Sequence, residues 1–209
     1  MSNQGTDDWK MDRLGKFTGS RAFPAIDLDS KGKLKAAYWN YVLEAATERW
    51  KGAPIDKFVT PAMANGTRLE PTARVRFMLE TGLYVRQVGF INHKTIAMSG
   101  ASLDGIIHDN QSIEIKCPML KNHFEYTATG EIPMAYQAQM QWGMATVPSI
   151  HSCWFVSFNP DAPTNIQMHI QRVDRDPVMI AQLERAAEQF NRDVEEKLRE
   201  LRETFPSAL

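Results

Sequence analysis

The chain has 209 residues, 43% of them hydrophobic and 23% charged. Those proportions suit one globular domain and exclude general disorder, collagen and coiled coil. Its 24 Lys and Arg against 25 Asp and Glu leave a formal net charge of −1, so bulk charge announces neither a nucleic-acid partner nor a basic substrate.

The polar start, Met1 to Asp8, has no apolar segment, and no apolar run reaches the roughly 18 residues of a membrane span. Neither a signal peptide nor a span is therefore expected. Trp9 to Ala25 is mixed and ends in loop signals at Gly15, Gly19 and Pro24. Lys33 to Lys51 keeps helical spacing at Leu34, Ala37, Tyr38, Tyr41, Val42 and Ala45, with Asp29 or Ser30 as a cap and Gly52 with Pro54 as a stop. Pro61 to Gly82 predicts a second helix, kinked or restarted at Pro71. The period then shifts. Tyr84–Ile91, Ile96–Ile107 and Ser112–Cys117 predict a strand meander, and Met134 to Ala145 a helix. Cys153–Phe158 and Ile166–Val173 predict two more strands around an Asn/Pro/Asp turn. Pro177 opens a last helix to about Thr204, striped by Ile180, Leu183, Ala187, Phe190, Val194, Leu198 and Leu201. The expected fold is mixed α/β: one central mixed sheet flanked by helices. Cys117 and Cys153 lack CxxC or Cys/His spacing, which argues against a disulfide framework or zinc finger and fits a reducing cytoplasm.

Chemistry concentrates between Ser102 and Pro118. His108 to Gln111 reads as a turn between apolar runs. A tight hairpin centred on Asp109 pairs Asp104 with Glu114 and Ser102 with Lys116, with opposed Cβ atoms about 5 Å apart. The alternation of a strand then puts Ser102, Asp104 and Ile106 on one face with Ser112, Glu114 and Lys116. Leu103, Ile107, Ile113, Ile115 and Cys117 face a core. Facing carboxylates repel unless a cation lies between them. Such hard oxygen ligands suit Mg²⁺ or Mn²⁺. Lys116 beside that position can hold or deprotonate a water that attacks phosphorus. An isolated Glu-x-Lys is an ordinary salt-bridged strand; the preceding Asp at hairpin spacing makes the catalytic reading stronger here.

At these residues the chain resembles the PD-(D/E)xK nucleases, and within them the lambda-type phage exonucleases of the viral recombinase group, with a restriction-endonuclease-like core. The resemblance runs through Trp9, Arg13-Leu14-Gly15, Thr18-Gly19-Ser20, Gly66, Glu70, Ala73, Ser102-Leu103-Asp104-Gly105, Glu114-Ile115-Lys116-Cys117-Pro118 and Tyr136-Gln137-Ala138-Gln139-Met140-Gln141. Leu103 departs from the proline of the signature. The resemblance implies a single nuclease domain over 1–209, with an end-binding part at 1–60, a catalytic core at 61–175 and a C-terminal helix at 176–209. It implies 5′→3′ digestion of one strand of duplex DNA to mononucleotides, leaving 3′ overhangs for strand annealing. A ring-shaped homotrimer and a single-strand annealing protein as partner are implied too, in a bacterial host cytoplasm with a phage or prophage gene.

Carried over residue by residue, Asp104, Glu114, the Ile115 carbonyl and Glu70 would ligate metal, two ions per site. Lys116 would activate water and Gln139 support the centre. Arg13, Ser20 and Ser102 would hold a terminal 5′-phosphate. A further phosphate-contacting Arg of the family is Asn122 here, with Lys121 or His123 as replacements. Read without the resemblance, Glu70 is a solvated helix carboxylate and Tyr136, Met140 and Met144 a core stripe. His93, His108 and His151 have no ligand spacing.

Charge is unevenly spread. Lys10 to Lys57 holds ten Lys/Arg against six Asp/Glu, and Asp174 to Glu203 six against nine. Lys31, Lys33 and Lys35, with Arg68, Arg74, Arg76 and Arg86 near Glu70, form a candidate DNA-tracking surface. The acidic last helix would face away from DNA or meet another subunit. A structure- or sequence-specific endonuclease and an inactive DNA clamp are the competing readings; the retained Asp104, Glu114 and Lys116 count against the clamp.

Overall fold

A computed structural model describes residues 5–55 and 59–205. The first four residues of the polar start, and Lys57 at the end of the basic segment, lie outside them. Six helices and seven strands follow in chain order among the described residues. They are α1 (Asp7–Asp12), β1 (Phe17–Thr18), α2 (Ala36–Lys51), α3 (Pro61–Thr81), β2 (Phe90–Asn92), β3 (Ser99–Ser102), β4 (Gly105–Ile107), β5 (Gln111–Lys116), α4 (Leu120–Thr129), α5 (Met134–Thr146), β6 (Ser152–Phe158), β7 (Met168–Asp174) and α6 (Pro177–Thr204). Two short 3₁₀ turns, Gly19–Arg21 and Phe23–Ala25, lie between β1 and α2.

The mixed α/β class holds, but the strands form two sheets. One has the order β1-β3-β2 and the other β4-β5-β6-β7. The expected strand Ile96–Ile107 is broken at Leu103–Asp104. Ser99–Ser102 pairs with β2, whereas Gly105–Ile107 pairs with β5. Leu103 causes the break by burying its side chain on α5, where a Cβ on Gly143 would lie 2.7 Å from Leu103 Cδ2. Only Phe90–Asn92 and a bridge at Arg86 survive of the expected strand Tyr84–Ile91.

Each face of the four-stranded sheet is covered. A larger core gathers Phe17, Tyr41, Trp142, Phe155, Leu183 and Phe190 around α2, α5 and α6. Phe17 packs edge-on against Trp142 with centroids 4.8 Å apart. A smaller core sets Ala73 and Phe77 of α3 against Ile107, Ile113, Ile115 and Val156. The sheet strand β5 is thus sandwiched between α5 and α3, and four of its six residues are buried.

Helix α2 begins at Ala36, later than expected, because Asp29 closes a turn with the Lys31 and Lys33 N–H groups instead of capping the helix. Gly52 ends it in the left-handed conformation. The expected restart at Pro71 does not occur; α3 runs continuously through it. Helix α4 was not expected from the sequence. Asp176 caps α6 through the N–H groups of Val178 and Met179, and the predicted stripe is buried from Ile180 to Leu198, with Leu201 half-buried. No helix among the described residues is long and apolar enough to cross a membrane.

Candidate active site

The hairpin forms in the expected register: Gly105, Ile106 and Ile107 pair with Ile113, Ser112 and Gln111. His108 and Asp109 turn the chain with φ of 50° and 60°. Gly105 is dictated by space, since a Cβ there would come within 2.3 Å of Val85 Cγ1. Beyond the last pair, Asp104 turns its carboxylate onto β5, and Oδ2 accepts the Ile115 N–H at 2.7 Å. The expected Ser102–Lys116 pair is not formed, because Ser102 ends a strand of the other sheet.

Glu114 is buried and Lys116 half-buried at the end of β5. Lys116 Nζ lies 2.6 Å from Glu114 Oε1 and donates to Gln139 Oε1 of α5 at 3.1 Å. It also lies 4.8 Å from the centre of the Tyr136 ring. Helix α3 delivers Glu70 to the same place: a Cβ on Gly66, one turn earlier, would sit 3.8 Å from the Cys117 carbonyl oxygen. Glu70 is ion-paired with Arg74.

The charges are crowded. Burial pushes the Glu114 carboxyl up to about 7, with Asp104 and Glu70 adding to the shift against Lys116. Burial, followed by Asp104, also raises Glu70, while Arg74 and Lys116 oppose. For Lys116 burial disfavours the charge, but Glu114 and Asp104 outweigh it and push the ammonium up. Cys117 is pushed up to about 12 by burial, with Glu70 and Asp104 adding to it, which keeps it a thiol.

Among the described residues no three His, Cys, Asp or Glu side chains form a ready cage for a metal. The carboxylates are instead held by Arg74, Lys116 and the Ile115 N–H. The donor set still fits a hard divalent cation, because Glu70 and Glu114 are raised by burial and by neighbouring carboxylates, and a cation relieves that repulsion.

A second cluster lies next along the chain. Arg13 caps the C-terminus of α1 and donates to Ser102 Oγ at 3.1 Å and Ser20 Oγ at 3.2 Å. Trp9 Nε1 donates to the same Ser102 oxygen at 2.9 Å, and the Arg13 guanidinium lies 4.2 Å over the indole. The loop is fixed from behind. Gly15, at φ 60°, donates to Glu48 Oε2 at 2.8 Å, and Arg49 Nε donates to the Gly15 carbonyl at 2.9 Å. Tyr41 OH accepts from Thr18 N and donates to the Lys16 carbonyl. The two clusters share α5, since a Cβ on Gly19 would touch both Gln139 and Trp142.

The YqaJ-like viral recombinase domain matches residues 8–148, a span that contains both clusters whole. The chain belongs to this family. An alkaline exonuclease from Laribacter hongkongensis is 36% identical over 98% of this chain and 100% of its own, with a TM-score of 0.88. The structure of that exonuclease in complex with dAMP matches equally well. A phage-related exonuclease from Haemophilus somnus 129PT shares the fold, with a TM-score of 0.73, 16% identity, and 89% and 96% of the two chains covered. No curated protein matches.

Other expected residues of this YqaJ-like chain fall elsewhere. His123 is fully buried between Ser157 Oγ at 2.8 Å and the Ile166 carbonyl at 2.6 Å, so it pins α4 to the sheet and is no phosphate contact. Asn122 lines a polar cavity with Tyr126, Gln137 and Arg172, and Lys121 is exposed on α4. Lys31 and Lys33 are exposed, and among the described residues no hydrogen bond or ion pair joins their side chains to either cluster. Arg76 and Arg86 pair with Glu80 and Asp109, and Arg68 donates to Asn65. Sequence reasoning gave Trp9 no role at the site, placed Tyr136 in a core stripe and counted Arg74 among the cations of a DNA-tracking surface. Trp9 and Arg13 stand four apart at the end of a short helix, which is the one readable sign of their contact.

Proposed function

We propose that this YqaJ-like chain is a metal-dependent exonuclease that digests one strand of linear duplex DNA from its 5′ end, releasing mononucleotides and leaving 3′ overhangs. One observation carries the reading: Ser102 belongs to the Arg13 cluster, Asp104 belongs to the carboxylate centre, and only Leu103 separates them. Two residues of extended chain span at most about 7 Å, so an end gripped at the first cluster presents its next phosphodiester to the second.

Arg13 supplies a charged fork, and the Ser20 and Ser102 hydroxyls supply further donors, for the terminal phosphate. Asp104, Glu114 and Glu70, with the Ile115 carbonyl, would hold Mg²⁺ or Mn²⁺. When bound, such ions stabilise charge on the phosphate oxygens and acidify a coordinated water. Lys116, braced by Gln139 and Tyr136, donates to the attacking water and steadies the charge that develops. The dAMP bound by the Laribacter hongkongensis relative is the kind of nucleotide such a reaction releases. Two ions per centre, a homotrimer ring around DNA, a single-strand annealing protein as partner and a bacterial cytoplasmic setting belong to the same proposal and rest on family membership.

The test is a 5′-phosphorylated linear duplex and a covalently closed circle, each incubated with Mg²⁺. Mononucleotides from the 5′ ends and an intact circle support the reading; cutting of the circle overturns it in favour of an endonuclease.

A further inference from the structure

Arg74 invites a role of its own. It follows Glu70 by one turn of α3 and is 7% exposed, so it is no part of a DNA-tracking surface. Its Nη2 donates to Glu70 Oε1, while its buried Nε has no partner among the described residues. A guanidinium kept for architecture uses its donors more fully. Arg49 shows this, giving Nε to the Gly15 carbonyl, Nη1 to Glu195 and Nη2 to Asn191. Leaving a buried donor unmatched is costly.

Charge explains why the residue is there. Glu70, Asp104 and Glu114 are three acids that repel one another; Lys116 answers Glu114, and Arg74 answers Glu70. From this we infer that Arg74 is a placeholder cation: it occupies Glu70 while the centre is empty, competes with the divalent ion for that carboxylate, and thereby sets the metal affinity. The inference rests on the metal-centre reading above. Two cations that seek one carboxylate oppose each other's binding, and the coupling is reciprocal.

The experiment is Mn²⁺ binding to the DNA-free protein, read by electron paramagnetic resonance, so that no catalysis is needed. Arg74→Met keeps the bulk and removes the charge; it should bind Mn²⁺ roughly fivefold tighter or more, the usual lower range of such couplings. In a Glu70→Gln background the same change should alter affinity little, because the contested carboxylate is gone. Unchanged or weaker Mn²⁺ binding by Arg74→Met, with the wild-type melting temperature retained, overturns the inference. Should Arg74→Met fail to fold, Arg74→Lys replaces it: a looser hold on Glu70 should again tighten Mn²⁺ binding, and an unchanged affinity overturns the idea. A wild-type protein that binds no Mn²⁺ overturns the metal-centre reading and this inference with it, which separates the two failures.

Discussion

The Arg13 cluster and the carboxylate centre are neighbours with opposite electrostatic characters. The first is a cation held by two serine hydroxyls, its loop clamped by Glu48, Arg49 and Tyr41. The second is a group of acids in which burial and neighbouring carboxylates raise Glu70 and Glu114. An anion site works best preorganised, because its donors need no rearrangement when phosphate arrives. The acidic cluster meets its charge with Arg74, Lys116 and a backbone N–H, and on the proposed reading a divalent cation would compete for the same carboxylates. Under the proposed function, one cluster would bind the DNA end and the other would cleave the bond.

The largest effect should come from breaking the acidic side. Asp104→Ala, Glu114→Gln or Lys116→Ala should lower single-turnover cleavage by about 10²–10³-fold or more while DNA-end binding, measured by fluorescence anisotropy, stays close to wild type. Full activity in any of the three would contradict the division. Breaking the anion side is expected to cost less and to be selective. Arg13→Ala removes charge-assisted bonds worth roughly 1.5–3 kcal/mol, so affinity for 5′-phosphorylated ends should fall about tenfold to a hundredfold. Affinity for 5′-hydroxyl ends should barely change.

A subtler break is Gly15→Ala. The residue has φ 60°, and a Cβ would lie 2.5 Å from Arg49 Cγ, so the loop carrying Arg13 must shift. Stability should drop by about 1–3 kcal/mol, with weaker recognition of the 5′-phosphate and little change in cleavage of saturated enzyme. Smallest is a pH effect on the metal-free protein. The Glu114 carboxyl rises from 4.5 to about 7 on folding, so the folded state binds more protons than the unfolded one in that window. Its contribution is fully present below 4.5 and is lost as pH rises through 7. Melting temperature in chelator should therefore decline from pH 5 to 8, and Glu114→Gln should flatten the decline.

Much of this was legible in the sequence because it is local. The hairpin register follows from a turn whose His108 and Asp109 accept left-handed geometry, and the α6 stripe follows from helical spacing over many turns. What escaped depends on distant packing. The split of the sheet is set by Leu103 settling on Gly143, forty residues away in sequence. Helix α4 hides because its buried residues are His123 and Tyr126, whose fit depends on β6 and α5. Arg74 looks like one more surface cation until burial and the pairing with Glu70 are seen. Net charge was a poor guide for the same reason: an average of −1 conceals a cationic cluster and an acidic cluster side by side.

The most direct test of two clusters serving one DNA end is a linear duplex with 5′-phosphates, labelled either at the terminal 5′ nucleotide or at the terminal 3′ nucleotide. In Mg²⁺, labelled mononucleotide should appear from the 5′-labelled duplex in the first turnover and lag far behind from the 3′-labelled one. Early release from the 3′ label, or equal release from both, would contradict the account.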